Sequence, residues 1–438
     1  MFLSFLSVLA CQTNTPLGES PDALIIPTGH TSEASYPIPG DIDGYNLPTE
    51  LNPDYQLKFY ELPLEGTLSK EPWSGYYWPK EKGGISYRWQ SHEMHDYELL
   101  DKDLLFEVDA ATIAKLSPTE KYDILVGNYD YSLTHRILAE NNVNEAAWTG
   151  ICHGWSPASN AYIEPRSVFM TNPDGLTVPF GASDVKALLS YYRAEVVRSP
   201  YPQHEWRTEN RSLGTNCMTG NPAHPECYDT NPGAFHVVLA NQIGILNAGM
   251  NIDADTTYQR WNQPVYAYDS EILLERDPSP SASARAEREV VIRTELEYTL
   301  EIEPQWVPAL GTSEQSTKVV TYLYTVELDR QGEVVGGQWL IESDNRFVSL
   351  EEAYNYLMTL DRNGDGTPDH TADEVSSIIW SYFTFPDYIW VQDDVDFPEE
   401  YKPLSSVYDI VATTSSSRQV LYDYFGMLGP LYDAATER

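Results

Sequence analysis

Cys152 lies in Trp148-Thr149-Gly150-Ile151-Cys152-His153-Gly154-Trp155, where glycines flank a single thiol and tryptophans wall it. Glycines at 150 and 154 remove two Cβ atoms and let backbone or substrate come close to the sulfur. A thiol attacks only as the thiolate, which needs a base beside it and a third group to hold that base. The chain must therefore fold so that distant segments converge on Cys152. Asn231-Pro232-Gly233-Ala234-Phe235-His236-Val237-Val238-Leu239 supplies the first candidate, with the His236 imidazole opening an apolar run that reads as a buried strand.

The third group is sought one strand further on, in Met250-Asn251-Ile252-Asp253-Ala254-Asp255-Thr256. Asp253 and Asp255 share a strand face, so spacing does not separate them; Asp253 is favoured, with Asp255 as alternate. Cysteine, then histidine, then carboxylate is the chain order of papain-like thiol enzymes, and the enzymatic reading rests on that pairing. A helix starting at Cys152 would favour the thiolate through its dipole, although Pro157 argues for a short or late-starting helix. Papain-like enzymes carry Gln six residues before the nucleophile, where this chain has Ala146. Asn144 and the Trp148 indole are the candidate oxyanion donors, and Trp148, Trp155 and Trp261 the candidate substrate walls, with simple packing as their alternative.

Length and composition set the frame. The 438 residues carry 27 Lys and Arg against 66 Asp and Glu, a net charge of −39. Such a charge argues against nucleic acid and anionic membranes and favours cationic partners. Residues 2–10 form a short apolar run ending at Val8-Leu9-Ala10-Cys11, which reads as a signal segment with Cys11 as a possible lipidated residue. The expected location is accordingly secreted or outer-membrane lipoprotein, of bacterial type, and no other run reaches membrane-spanning length. Cys217 and Cys227 bracket a turn-rich stretch; a disulfide there would contribute about 2–3 kcal/mol.

The expected fold class is α+β. A signal-like segment (1–20) and an N-terminal extension (21–95) precede a papain-like catalytic core (96–276). A β-rich module (277–395) and a C-terminal tail (396–438) follow. The composition break at 277–288 marks the boundary between core and module. Ser117-Pro118-Thr119-Glu120 forms a capping box that opens a helix. Ser183 is expected to cap a helix over about 184–197, with Val185, Leu188, Leu189, Tyr192 and Val196 on its buried face. Alternating runs at 289–303, 317–329 and 333–343 read as strands.

Several segments together resemble the transglutaminase-elicitor family of plant-pathogenic oomycetes and marine bacteria. They are Tyr76-Tyr77-Trp78-Pro79, Leu116-Ser117-Pro118-Thr119-Glu120-Lys121-Tyr122-Asp123, Ile151-Cys152-His153-Gly154-Trp155, Asn231-Pro232-Gly233-Ala234-Phe235-His236, Trp261-Asn262-Gln263-Pro264-Val265 and Gly336-Gly337-Gln338-Trp339. The resemblance implies a calcium-dependent protein-glutamine γ-glutamyltransferase with a papain-like core, Cys152 as nucleophile and His236 as base. It implies protein substrates bearing glutamine and lysine, and isopeptide bonds as product. Trp261 and Pro264 fall on the elicitor positions, while Tyr266-Ala267-Tyr268-Asp269 departs from the basic continuation of the oomycete peptide. A papain-like peptidase or a glutamine deamidase would use the same residues with water as acceptor.

A separate feature points to Ca2+. Asp361, Asn363, Asp365 and Asp369 place side-chain oxygens at loop positions 1, 3, 5 and 9, Thr367 offers its carbonyl, and Gly366 permits the sharp turn. Position 12 is Ala372 where an EF-hand has Glu, so Asp373 or Glu374 would have to substitute. If this loop binds the ion, thermal melts in calcium and in chelator separate; superimposable curves reject the assignment.

Overall fold

Val320, Tyr322, Tyr324, Val326 and Leu328 recur at every second position of one strand and pack into one core; on the other face Thr317, Val319 and Thr321 are exposed, while Thr325 and Glu327 are buried. The strand is thus covered on one face at its start and on both toward its end. In the computed structural model, residues 41–42, 46–197, 210–214, 230–254, 259–343, 346–349, 356–360, 366–371, 385–403 and 415–437 are described. The strand belongs to an eight-stranded sheet of β4 (Asn210–Gly214), β12 (Tyr388–Gln392), β5 (Met250–Asp253), β6 (Asn262–Arg276), β7 (Arg288–Thr299), β8 (Thr317–Leu328) and β9 (Val334–Gly336), in that order. The short β1 (Glu65–Thr67) pairs with β6, and every pairing is antiparallel. Two hairpins stand apart: β2 (Val168–Thr171) with β3 (Thr177–Phe180), and β10 (Leu340–Ser343) with β11 (Arg346–Ser349).

The α+β expectation holds, but the sheet ignores the expected boundary at 277. Residues 277–287 only connect β6 to β7, which pair from Val265/Tyr298 to Arg276/Glu289. The composition break is a hairpin connection, rich in Ser and Pro because it is a turn. The segments taken as extension and tail also supply core. Trp73, Tyr76, Trp78 and Ile85 are buried with Tyr424, Phe425, Leu428 and Leu431 in one helical core. Those last residues belong to α6 (Ser415–Tyr424), α7 (Leu428–Thr436) and the turn between them.

Helices earlier in the chain complete that core. α1 (Pro118–Leu125) begins at the expected capping box, with Ser117 Oγ accepting from Glu120 N at 3.2 Å and Glu120 Oε2 from Ser117 N at 2.9 Å. α2 (Ser132–Glu140) follows, and Asp123 ties the pair by accepting from the backbone N–H groups of Leu133 and Thr134. α3 (Cys152–Ala161) carries the thiol, and α4 (Ala182–Tyr191) packs against it. The cap of α4 is Gly181, whose N–H donates to Asp184 Oδ2 at 2.7 Å; Ser183 instead accepts from Gln305 N at 2.6 Å. The five expected residues are buried, but so is every other residue of α4, including Asp184, Lys186 and Ser190, so it has no single buried face; residues 192–196 continue as one wider helical turn.

The run holding His236 corrects the strand expectation. It is α5 (Pro232–Leu239), started by Asn231, whose side chain accepts from Gly233 N at 2.9 Å and Ala234 N at 3.2 Å. Every residue of α5 is buried and all but His236 are apolar, so hydrophobic periodicity carried no signal there. The Asn-Pro start was the usable one. α5 lies on β8 and β9 and closes the second core with Phe59, Phe235, Tyr322, Tyr324 and Trp339.

Glycines set how closely the thiol helix is held. A Cβ on Gly154 would sit 2.1 Å from Ser190 O and 2.6 Å from Ala194 Cβ, and one on Gly150 would sit 2.2 Å from Tyr77 O. Both neighbours are largely backbone and cannot swing aside. Gly154→Ala is therefore expected to force α3 away from α4 and lose about 1–3 kcal/mol in urea denaturation; unchanged stability would contradict the close packing.

Candidate active site

α3 starts at Cys152 itself and runs through Pro157 to Ala161, so the late-start expectation is not met. Its first turn stands against the ends of β5 and β6. Two amides clasp it there. Asn251 on β5 accepts from Ser156 Oγ at 2.5 Å and Asn160 Nδ2 at 3.1 Å, and donates to Trp390 O at 3.4 Å. Asn262, the first residue of β6, donates from Nδ2 to Cys152 Sγ at 3.5 Å. The thiol in turn donates to Arg260 O at 3.5 Å. A third residue of this turn, Trp261, meets the Tyr77 ring edge-on at 5.4 Å, and its backbone N–H donates to Asp253 Oδ1 at 3.2 Å.

The electrostatics of this pocket hold the sulfur neutral. Burial pushes the Cys152 thiol up to about 11, helped by the Glu301 and Asp253 carboxylates, while the Asn262 amide works in the other direction. Glu301 is fixed by Gln263 Nε2 at 3.0 Å. A protonated thiol is what the contact to Arg260 O requires, since only S–H can donate to a carbonyl.

The structure brings together some of the expected residues and separates others. Cys152, Asp253 and Trp261 share this corner. His236 does not: its ring lies in the second core, with Nδ1 2.9 Å from Tyr324 Oη and the Phe59 ring centroid 5.3 Å away. Its Nε2 is buried without a hydrogen-bond partner among the described residues. The expected Cys152–His236 bond and the Asp253–His236 bond are therefore both absent. The reason is the helix: α5 directs residue 236 onto β8, where Ser270, Thr294 and Tyr324 form a hydroxyl chain.

Asp255 lies outside the described residues, as do Cys11, Cys217, Cys227, Asp361, Asn363 and Asp365. Asn144 is exposed, with its amide and backbone N–H on Asn142 Oδ1, and joins no part of the pocket described above. Trp155 is wholly buried against Gly75, so it is packing and no substrate wall. Trp148 is half-buried at the margin of the helical core. Of the acidic loop's described residues, Gly366 has φ +84, and Asp369 N donates to Leu360 O at 2.7 Å. Among the described residues no three acidic, His or Cys side chains gather to hold a metal.

Sequence reasoning passed over Asn262, Tyr388 and Trp390. Tyr388 Oη and Trp390 Nε1 reach Asn262 Oδ1 at 3.0 and 2.8 Å. Asn262 stood in a quoted motif, but nothing local marks an amide as facing a sulfur, and its partners follow more than a hundred residues later.

A cysteine at the head of a helix, packed on an antiparallel sheet that lends it amide and carboxylate neighbours, defines a candidate thiol acyl-transfer centre. The chain belongs to the transglutaminase elicitor family, whose sequence pattern matches residues 133–353. Its fold is similar to the crystal structure of the GP42 transglutaminase from Phytophthora sojae. That likeness has a TM-score of 0.52 and 19% identity, over 87% of this chain and 96% of that one. Against curated proteins the sequence finds no match.

The position of His236 has a measurable consequence. Burial pushes its imidazole down from the ordinary 6.5 to about 4. As pH falls, the unfolded chain takes up this proton first, so the stability due to the neutral ring is complete above 6.5. It is lost as pH falls toward 4, by about 3 kcal/mol at most. His236→Gln is expected to flatten the decline in urea-unfolding free energy between those values; an unchanged decline would show that the ring is not buried neutral.

Proposed function

We propose that the protein is a protein-glutamine γ-glutamyltransferase working through a Cys152 thioester. The observation that carries this reading is the seating of Cys152 at the start of α3, in one apolar core with Trp261 and against the Asn262 amide. The Cys152 thiolate attacks the carboxamide carbon of a protein glutamine, the C–N bond breaks, and ammonia leaves carrying the proton that the thiol gave up. A lysine ε-amine then attacks the thioester, gives up its proton, and releases the thiolate as the isopeptide bond forms. His236 is left out of this relay. Asp253 is kept as the carboxylate of the site, accepting from the Trp261 backbone N–H beside the thiol.

Transfer over hydrolysis is favoured by burial, since Cys152 exposes only 4% of its surface and lies in the same apolar core as Trp261 and Tyr77. The helix-on-sheet placement of the thiol supports a papain-like arrangement. The strongly acidic chain would gather lysine-bearing acceptors. We also place the protein outside the cytoplasm, secreted or tethered through Cys11, on the strength of the apolar leader. No helix of the described residues is long and apolar enough to cross a membrane. Ca2+ belongs to the same proposal, held by Asp361, Asn363, Asp365, Thr367 and Asp369. It would brace that loop and supply no step of the acyl transfer.

Incorporation of a labelled primary amine into a glutamine-containing protein tests the reading. Activity is expected for the wild type and a loss of at least about a hundredfold for Cys152→Ser. Release of ammonia or peptide without amine incorporation would instead assign a deamidase or peptidase.

A further inference from the structure

We infer that Asn262 is a catalytic residue that donates its side-chain amide to Cys152 Sγ, and that Tyr388 and Trp390 are positioning residues that hold the amide in that orientation. An asparagine amide has two ends of nearly equal shape, so its direction must come from its partners. Here the direction is determined. The indole Nε1–H of Trp390 can only donate, which makes the atom it meets at 2.8 Å the amide oxygen. Burial holds the Tyr388 phenol well above its usual range, so its hydroxyl keeps its proton and donates to the same oxygen at 3.0 Å. The NH2 end must then face the sulfur, at 3.5 Å. The Asn262 backbone N–H also acts on the thiol, in the same charge-stabilising sense.

The arrangement answers a specific difficulty. A sulfur buried beside Glu301 and Asp253 resists ionisation, and no cation or imidazole touches it among the described residues. Donors already aimed at the place where charge develops require no reorganisation when the proton leaves. The same donors assist again when the thioester collapses and the sulfur departs as an anion. This second role rests on the acyl-transfer reading; the first does not. The Trp-Asn-Gln-Pro-Val segment thereby acquires a chemical division of labour. Trp261 packs on Tyr77 and donates its backbone N–H to Asp253, Asn262 donates to the sulfur, Gln263 anchors Glu301, and Pro264 pairs with Asn251, which clasps the thiol helix.

The test is the pH profile of iodoacetamide alkylation at Cys152, followed by peptide mass spectrometry on the full chain. Asn262→Asp keeps the shape and removes the donor, and Asn262→Ala removes the side chain. Trp390→Phe and Tyr388→Phe release the amide without touching the sulfur. The midpoint is expected to rise by about one pH unit or more in Asn262→Asp, equivalent to roughly tenfold slower alkylation at neutral pH. A smaller rise in the same direction is expected for Asn262→Ala and Trp390→Phe. A purely structural role would lower the melting temperature and leave the midpoint in place. Profiles that superimpose on the wild type in both Asn262 variants would overturn the inference. Alkylation needs no glutamine, so a shifted midpoint in a protein that transfers no amine would keep this inference and remove the acyl-transfer reading.

Discussion

The Asn262 amide joins three parts of the chain at one point: the thiol at the head of α3, the start of β6, and the aromatic pair on β12. Asn251 repeats the device one strand away, fastening Ser156 and Asn160 of α3 to β5 and the backbone of β12. Each is a buried polar group, and each would be costly if its partners were missing. The thiol is therefore positioned by the sheet more than by its own helix. Close packing at Gly150 and Gly154 removes the slack that would let α3 drift from those amides.

Burial gives the site both its selectivity and its difficulty. Cys152 is buried in one apolar core with Trp261 and Tyr77, which would suit the thioester of the proposed acyl transfer. The same burial, with Glu301 and Asp253 close by, holds the thiol up at about 11. Ionisation then depends on donors already in place and on a base, and the residue expected as base is not there. His236 is a neutral core histidine hydrogen-bonded to Tyr324. The enzymatic reading thus stands on family membership and the seating of Cys152, and no longer on a Cys-His pair. The segment at the elicitor positions is likewise buried in this fold, with Asn262 against the thiol and Val265 in the second core.

Features set by near neighbours were legible in the sequence. The Ser117–Glu120 box and the alternation in β8 both depend on residues within a few positions of one another. What failed depended on distance. The run at 232–239 is apolar on every side, so its period was silent and a helix passed for a strand. With the helix came a different direction for residue 236, and the expected triad came apart. Pro157 was weighed as a helix breaker, yet α3 carries it in its interior. The composition break at 277 marked a turn within one sheet, and the residues after 396 returned to the helical core through Tyr424 and Phe425. Asn262 was visible as part of a motif, but its role is defined by Tyr388 and Trp390, which no spacing rule connects to it.

The most direct measurement of the central claim is acid-quenched mass spectrometry of the protein mixed with a glutamine peptide and no amine. The account predicts an adduct on Cys152 of the peptide mass less ammonia, discharged on adding a primary amine. An adduct on another residue, or none while amine transfer proceeds, would contradict it.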